Sequence, residues 1–451
     1  MSKAELRALL VVAFAAVVVR LATSASFKGH SYVAAGPVKP ETEVTYLKRG
    51  EIDLGDSKQY LLLGAGIRHR LSYTWDHEPN TFRTPGYPLL LALLDDNLTA
   101  IIVVQALLAG LTVFLVGLVG LRLFNSRAGL LGAAFLAVDI PSIFLSGTVM
   151  SEVLFTFSVV LAAALFLGWT QDRGWKTCEG KPSRTLSPAA AGLVLGFAAL
   201  VRPVALFAFV PFGLLLVARR NWRGLVLMLV AFSALPGIWV ARNYCHYRRL
   251  NLTSNGGYNL LYANAATVIG DKQHTTWDIE RLELARDFTS KLATDNPLEL
   301  ADAMTRKATS IILHDPLRYA WICLRGMPRV IAGIKSDDLV LRALAANESA
   351  TQGSVLLNRD YGSYGVSLAI WLLAGFELLT AIGAFPLALV SLGLRRWRAE
   401  KLLLVFTGLY FVVAALPFTD GRFRVPAMPF LYLAAATVLA GRETRGGGEG
   451  A

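Results

Sequence analysis

The chain has 451 residues, of which 54% are hydrophobic and 17% charged, with a net charge of +12 and a mean hydropathy of +0.49. Soluble domains carry about 25% charged residues, so this composition excludes an ordinary soluble protein and indicates a membrane one. The positive balance does not point to nucleic acid, because the basic residues cluster at the ends of apolar runs, where membrane orientation puts them.

The N-terminal run from Ala8 to Ser24 is about 17 residues, long enough to span a bilayer, and is read as a retained helix. A cleaved signal peptide is the alternative, since Ala22-Thr-Ser-Ala-Ser26 resembles a cleavage site. Hydropathy and length predict eight spans, over 6–23, 99–121, 128–146, 153–169, 224–241, 365–393, 402–417 and 425–440. Between them lies the apolar stretch from Pro188 to Ala218, broken by Arg202-Pro203. Lys181 and Arg184 precede this stretch, and Arg219, Arg220 and Arg223 follow it. Both ends therefore belong on the cytoplasmic side, and the stretch enters and returns as two short helices or a re-entrant pair, with Arg202 at the far tip.

Arg122, Arg127, Arg173, Lys176, Arg395, Arg396, Arg398, Lys401, Arg442 and Arg445 then all fall inside. The expected fold is an all-α polytopic membrane protein of about ten transmembrane segments with both termini cytoplasmic. It divides into an N-terminal transmembrane module (1–241), an extracytoplasmic region (242–364), C-terminal transmembrane helices (365–440) and a disordered glycine-rich tail (441–451). The first extracytoplasmic loop (24–98) lies inside the N-terminal module. In the second, Asn296-Pro297 and Asp315-Pro316 each place a capping side chain before a proline suited to a first helical turn. They predict amphipathic helices over 299–313 and 317–331. The stretch 339–365 has little periodicity and is expected to form a flap over a site. No internal repeat is evident, which counts against an inverted-repeat transporter.

Cys178 falls in a cytoplasmic loop, whereas Cys245 and Cys323 share one extracytoplasmic segment and are open to pairing. None of the six histidines shows metal-ligand spacing. There is no phosphate-binding loop, and Gly256-Gly257 lacks the context of a dinucleotide fingerprint. Chemistry is expected on the extracytoplasmic side. There Asp56, Arg83, Glu152, Arg202, Arg242, Arg422 and Arg424 gather at helix ends and in loops, against the general charge bias. Arginine binds phosphate bidentately and stays charged, so a shared anionic ligand would account for them. Asp56 and Tyr60, one turn apart, share a face, and a carboxylate there suits a general base acting on a hydroxyl. Glu377, near the middle of a span, is a further candidate by its position alone.

Seven ordered motifs resemble a known family. They are Asp56-x-x-x-Tyr60, Arg83-Thr-Pro-Gly-Tyr87-Pro88, Ser151-Glu152, Leu200-Val-Arg202-Pro203, Arg242-Asn243-Tyr244, Gly256-Gly-Tyr-Asn259 and Arg422-Phe-Arg424-Val-Pro426. Together they resemble the polytopic glycosyltransferases of the GT-C fold, in the glycosyltransferase family 39-like branch of protein mannosyltransferases and the lipid A aminoarabinose transferase.

The resemblance implies inverting transfer of a sugar from a polyprenyl-phosphate donor, such as undecaprenyl phosphate carries, to a hydroxyl of a lipid, glycan or protein acceptor. The enzyme would sit in the bacterial cytoplasmic membrane with its site facing outward. It also implies Asp56 as the catalytic base and Glu152 as a second acidic residue of the catalytic site, with Tyr60, Arg83, Tyr87, Arg202, Arg242, Asn243, Arg422 and Arg424 as substrate-binding residues. A metal requirement stays open: no cofactor is certain, and Asp56 and Glu152 leave room for a shared divalent cation, with no ligand set visible. Many family members carry an Asp-Glu pair after the first span, whereas Asp56 precedes Ser57, so Glu51 and Asp53 remain alternative bases. A lipid-linked glycan flippase and an O-antigen-ligase-like transferase are the competing readings.

Overall fold

A computed structural model describes residues 1–26, 56–75, 78–170, 186–292, 294–336, 364–393, 399–417 and 420–441. Among them, 18 α-helices carry the fold, and the β content is a two-residue ladder pairing Thr74–Trp75 with Glu78–Pro79. Glu51, Asp53, Cys178, the 339–363 part of the expected flap and the glycine-rich tail lie outside the described residues.

Among the described residues, four helices are long and apolar enough to cross a membrane, or five with one bent pair counted as a span. The four are α1 (Lys3–Ser26), α4 (Leu98–Leu123), α10 (Trp222–Tyr247) and the Ile370–Gly393 part of α16 (Tyr364–Gly393). The predicted span at 128–146 is instead a bent pair, α5 (Ser126–Ala137) and α6 (Ile140–Ser146), meeting at 55°. The cause is local: Pro141 follows the break, and Asp139 caps α6 by accepting a hydrogen bond from the Ser142 amide. Shorter apolar helices include α7 (Glu152–Thr170), α8 (Leu186–Val201), α9 (Val210–Ala218) and α18 (Met428–Leu439), beside α17 (Ala399–Ala414). The two short helices expected around Arg202 are α8 and α9, and Arg202 is the extended residue that ends α8.

Small residues set the helix packing, as they do where lipid removes the hydrophobic drive for helix association. Gly192 and Gly196, one turn apart on α8, press against the Met228 and Phe232 carbonyls of α10. A Cβ at either glycine would lie 2.2 or 2.4 Å from those oxygens. Gly110 and Gly117 of α4 receive Val17 and Leu9 of α1 in the same way. With Leu9 and Arg20 fully buried, α1 packs one face into the bundle.

Ends that the sequence assigns to one side meet. Glu5, at the start of α1, accepts a hydrogen bond from Ser126 at the start of α5, and Arg219 pairs with Glu400 at 2.5 Å. Glu377 has the partner that sequence reasoning did not find: Arg424 at 2.8 Å, both side chains almost fully buried. Glu377 also accepts hydrogen bonds from the Lys335 and Ser336 amides and from the Ser336 hydroxyl. This buried charge is a structural knot joining α16 to the 3-10 turn Gly421–Arg424.

The helix starts read in the second polar segment are as expected. Asn296 accepts from the Leu298 and Glu299 amides at the head of α14 (Pro297–His314). Asp315 accepts from the Arg318 amide at the head of α15 (Pro316–Ala332). Cys245 and Cys323 are both free thiols, so the pairing left open by the sequence is not made.

Candidate active site

A cavity of about 580 Å³ lies where the first polar loop, the α8 tip, the second polar segment and the Gly421–Arg424 turn converge. That is within the range of small-molecule sites.

Asp56 opens α2 (Asp56–Arg70), where a carboxylate suits the helix dipole. Its two carboxylate oxygens are taken by two arginines from distant parts of the chain. Arg83 donates to Oδ1 at 2.5 Å and Arg422 to Oδ2 at 3.2 Å. Burial pushes the Asp56 carboxyl up, but Arg83, Arg422 and Arg202 more than offset this and hold it at about 2. Tyr60, one turn on, reaches the Ser151 hydroxyl at 3.2 Å and packs under the Arg83 guanidinium. This seats α2 against the start of α7.

Arg83 is fixed by its loop. It donates to Gln59 at 2.6 Å, and its backbone amide donates to the Asn80 side chain. The loop lies against the end of α8, where a Cβ on Gly86 would come within 2.7 Å of the Leu200 carbonyl. The glycine of Arg83-Thr-Pro-Gly86 thus permits the close approach that brings Arg83 and Arg202 to one cavity. Arg202 pairs with the buried Glu152 at 2.5 Å. The second oxygen of Glu152 (Oε2) and the Nε of Arg422 are buried without a hydrogen-bond partner among the described residues.

Of the residues singled out in the sequence, Asp56, Tyr60, Arg83, Arg202 and Arg422 line the cavity, with Glu152 behind Arg202. Four do not reach its wall. The Tyr87 hydroxyl donates to Gln105 deep in the bundle. Arg242 stacks on Trp239 and holds the Tyr73 and Asn80 carbonyls. Asn243 holds the Asn251 and Leu252 carbonyls, and Arg424 pairs with Glu377. Arg242 and Asn243 therefore shape two loops that do form the wall. Sequence reasoning singled out Gly256–Asn259 as a motif without a role; Asn255, Gly256, Gly257 and Asn259 line the cavity. It also missed the apolar wall built by Phe155, Val204, Phe411 and Phe423, because core phenylalanines look alike in sequence.

Among the described residues the donor set is richer in guanidiniums than in carboxylates. No cluster of three metal-ligating side chains occurs among the described residues. Both oxygens of Asp56 and one of Glu152 are paired with arginines, and three guanidiniums outnumber the two carboxylates. The arrangement suits an anion.

The family model described as dolichyl-phosphate-mannose-protein mannosyltransferase matches residues 94–246. No curated protein matches the chain. Among solved structures, the Archaeoglobus fulgidus oligosaccharyltransferase AglB, in complex with an inhibitory peptide and a dolichol-phosphate, is 16% identical with a TM-score of 0.50. It covers 96% of this chain and 50% of its own. The same enzyme tethered to an acceptor peptide gives 14% identity, a TM-score of 0.50 and coverage of 97% and 49%. The chain thus spans about half the length of that relative. ArnT from Cupriavidus metallidurans, bound to undecaprenyl phosphate, is 14% identical with a TM-score of 0.37, covering 94% of this chain and 77% of its own. The chain is thus similar to the mannosyltransferase family over the matched segment, about a third of its length, and shares the fold of the membrane glycosyltransferase AglB.

Proposed function

We propose that the protein transfers a sugar from a polyprenyl-phosphate donor to an acceptor hydroxyl, with inversion, on the outer face of a bacterial cytoplasmic membrane. Ten membrane segments would place the two polar segments, and the cavity with them, outside. Nucleotide sugars are cytosolic, so an outward site needs a donor carried across on lipid. The observation that carries the reading is the convergence of Arg83, Arg202 and Arg422 on one cavity, with an unpartnered Arg422 Nε–H and a phenylalanine-rich wall beside them. Guanidiniums match a phosphate, and the apolar wall matches a prenyl chain. The dolichol-phosphate and undecaprenyl phosphate bound by AglB and ArnT are ligands of that kind.

In the reaction, the acceptor oxygen attacks the anomeric carbon while the carbon–oxygen bond to phosphate breaks. The electron pair leaves with the phosphate, where the arginines stabilise it. Asp56 accepts the acceptor's proton. In the ligand-free site Asp56 is a weak base, because Arg83 and Arg422 occupy both of its oxygens. A donor phosphate competes for the same guanidiniums, and this loosens Asp56 and raises its basicity when substrate is present. Glu152 keeps Arg202 in place. A flippase would rest on Glu377 alone, which is locked to Arg424 and Ser336.

The test is donor binding and turnover in nanodiscs with Arg83→Ala and Asp56→Asn. Loss of a charge-assisted hydrogen bond of about 1.5–3 kcal/mol should weaken binding of polyprenyl phosphate by Arg83→Ala roughly tenfold to a hundredfold. Asp56→Asn should lower turnover by about 10²-fold or more yet bind the lipid phosphate at least as tightly, since two arginines lose their internal competitor. Unchanged lipid-phosphate binding in Arg83→Ala removes the phosphate assignment, and full turnover in Asp56→Asn removes Asp56 as the base.

A further inference from the structure

Besides the arginines, the cavity has a second polar wall of different chemistry. It is the short helix α11 (Asn255–Asn259), on which Asn255 and Asn259 stand one turn apart and both line the cavity. Among the described residues neither side-chain amide makes a hydrogen bond, although their neighbours are all engaged. Thr253 donates to the Thr81 and Phe82 carbonyls at 2.9 and 2.7 Å, and the Ser254 amide donates to Thr81 at 2.9 Å. These bonds fix the helix to the loop that carries Arg83. On its other side Gly257 lies so close to α14 that a Cβ would come within 2.2 Å of the Ala301 carbonyl. The chain leaves the helix through a π-helical segment, Leu260–Ala265, a form that often marks functional sites. There the Asn264 amide satisfies the Asn259 carbonyl at 3.1 Å, and Tyr319 in turn holds Asn264 at 2.6 Å. The two free amides thus stand on a rigid support at a set place relative to the phosphate-binding arginines.

A carboxamide presents one donor group and one acceptor, the pairing that a hydroxyl also needs. Two of them a turn apart match hydroxyls on one sugar ring, whereas a charged substituent calls for an opposite charge. The charged side chains lining the cavity, among the described residues, are Asp56, Arg83, Arg202 and Arg422; Asp56 is bonded to two of the arginines in the ligand-free site and, once the donor phosphate draws them off, is committed to the acceptor's proton. We infer that Asn255 and Asn259 select the transferred group by hydrogen-bonding its hydroxyls, and that this group is an uncharged sugar rather than an amino sugar. The inference rests on the donor reading above and assigns its sugar subsite.

The test compares binding of bare undecaprenyl phosphate with undecaprenyl-phosphate mannose, glucose, galactose and 4-amino-4-deoxyarabinose, using the full chain in nanodiscs. For the wild type, at least one neutral sugar should bind more tightly than the bare lipid phosphate, and the amino sugar should not be the tightest. Asn255→Ala and Asn259→Ala should each reduce that sugar-dependent gain roughly fivefold, the worth of about one hydrogen bond. Their affinity for bare undecaprenyl phosphate should stay within about twofold, which also reports that the variants are folded. A gain that survives in both variants, or a preference for the amino sugar, overturns the inference while leaving the donor reading standing. A wild-type protein that binds no undecaprenyl phosphate overturns both.

Discussion

Between pH 5 and 8 the Asp56 carboxylate stays ionised in the ligand-free protein, since Arg83 and Arg422 outweigh the effect of burial and hold it at about 2, below the ordinary 3.8. A depressed folded value means that this ion-pair cluster adds stability above the unfolded value. That stability is lost as pH falls from about 4 towards 2. Thermal unfolding in detergent should therefore weaken across that window, and Asp56→Asn should unfold with a shallower dependence there. Equal slopes for the two proteins mean that Asp56 is not clamped in solution. The Glu377–Arg424 pair behaves differently, because it is buried on both sides. Removing one partner of such a pair costs about 3–5 kcal/mol, so Glu377→Ala should lower the melting temperature sharply. At this scale the arginines were legible in sequence because they defied the charge bias of the membrane. Their division into ligand-facing and structural was not. Arg422 and Arg424 sit two residues apart on a tight turn, and only packing sends one to Asp56 and the other to Glu377.

At the scale of elements, α11 and the Arg83 loop are positioned by backbone contacts that only glycine allows. Gly257→Ala should separate α11 from α14 at a cost of about 1–3 kcal/mol, seen as a lower melting temperature. Gly256→Ala, with open space around its Cβ, should keep the wild-type melting temperature. If the two substitutions are equally tolerated, α11 does not dock on α14 as described. The helix starts at Asn296 and Asp315 were readable because an N-cap is a local device, made of one side chain and the next three amides. The break within 126–146 was less so, since hydropathy is blind to a bend. It followed from Asp139 capping a new helix at Pro141.

For the whole molecule, sidedness is the quantity to measure. The proposed orientation puts Cys245 near the outer end of α10 and Cys178 inside. A membrane-impermeant maleimide should label Cys245 in intact cells or spheroplasts and Cys178 only after permeabilisation. The reverse pattern would turn the cavity inward and remove the argument for a lipid-borne donor. Both Cys245 and Cys323 should titrate as free thiols in the unfolded protein without reductant.

What the amino-acid sequence determined by itself was the solvent and the rhythm of the chain. Apolar runs of spanning length and basic residues at their ends follow from transfer energies that each segment obeys separately, so helices, breaks and caps were largely open to reading. The ordered motifs carried the resemblance to a known family for the same reason, each being local. Tertiary structure decided which of these motifs meet. Asp56, Arg83 and Arg422 form one cluster although 366 residues separate the first from the last. The same packing turned Tyr87, Arg242, Asn243 and Arg424 towards the scaffold and brought the amides of Asn255 and Asn259 to the cavity. Such contacts depend on close helix approach at a few glycines, and no local pattern of residues encodes which distant backbone will be there.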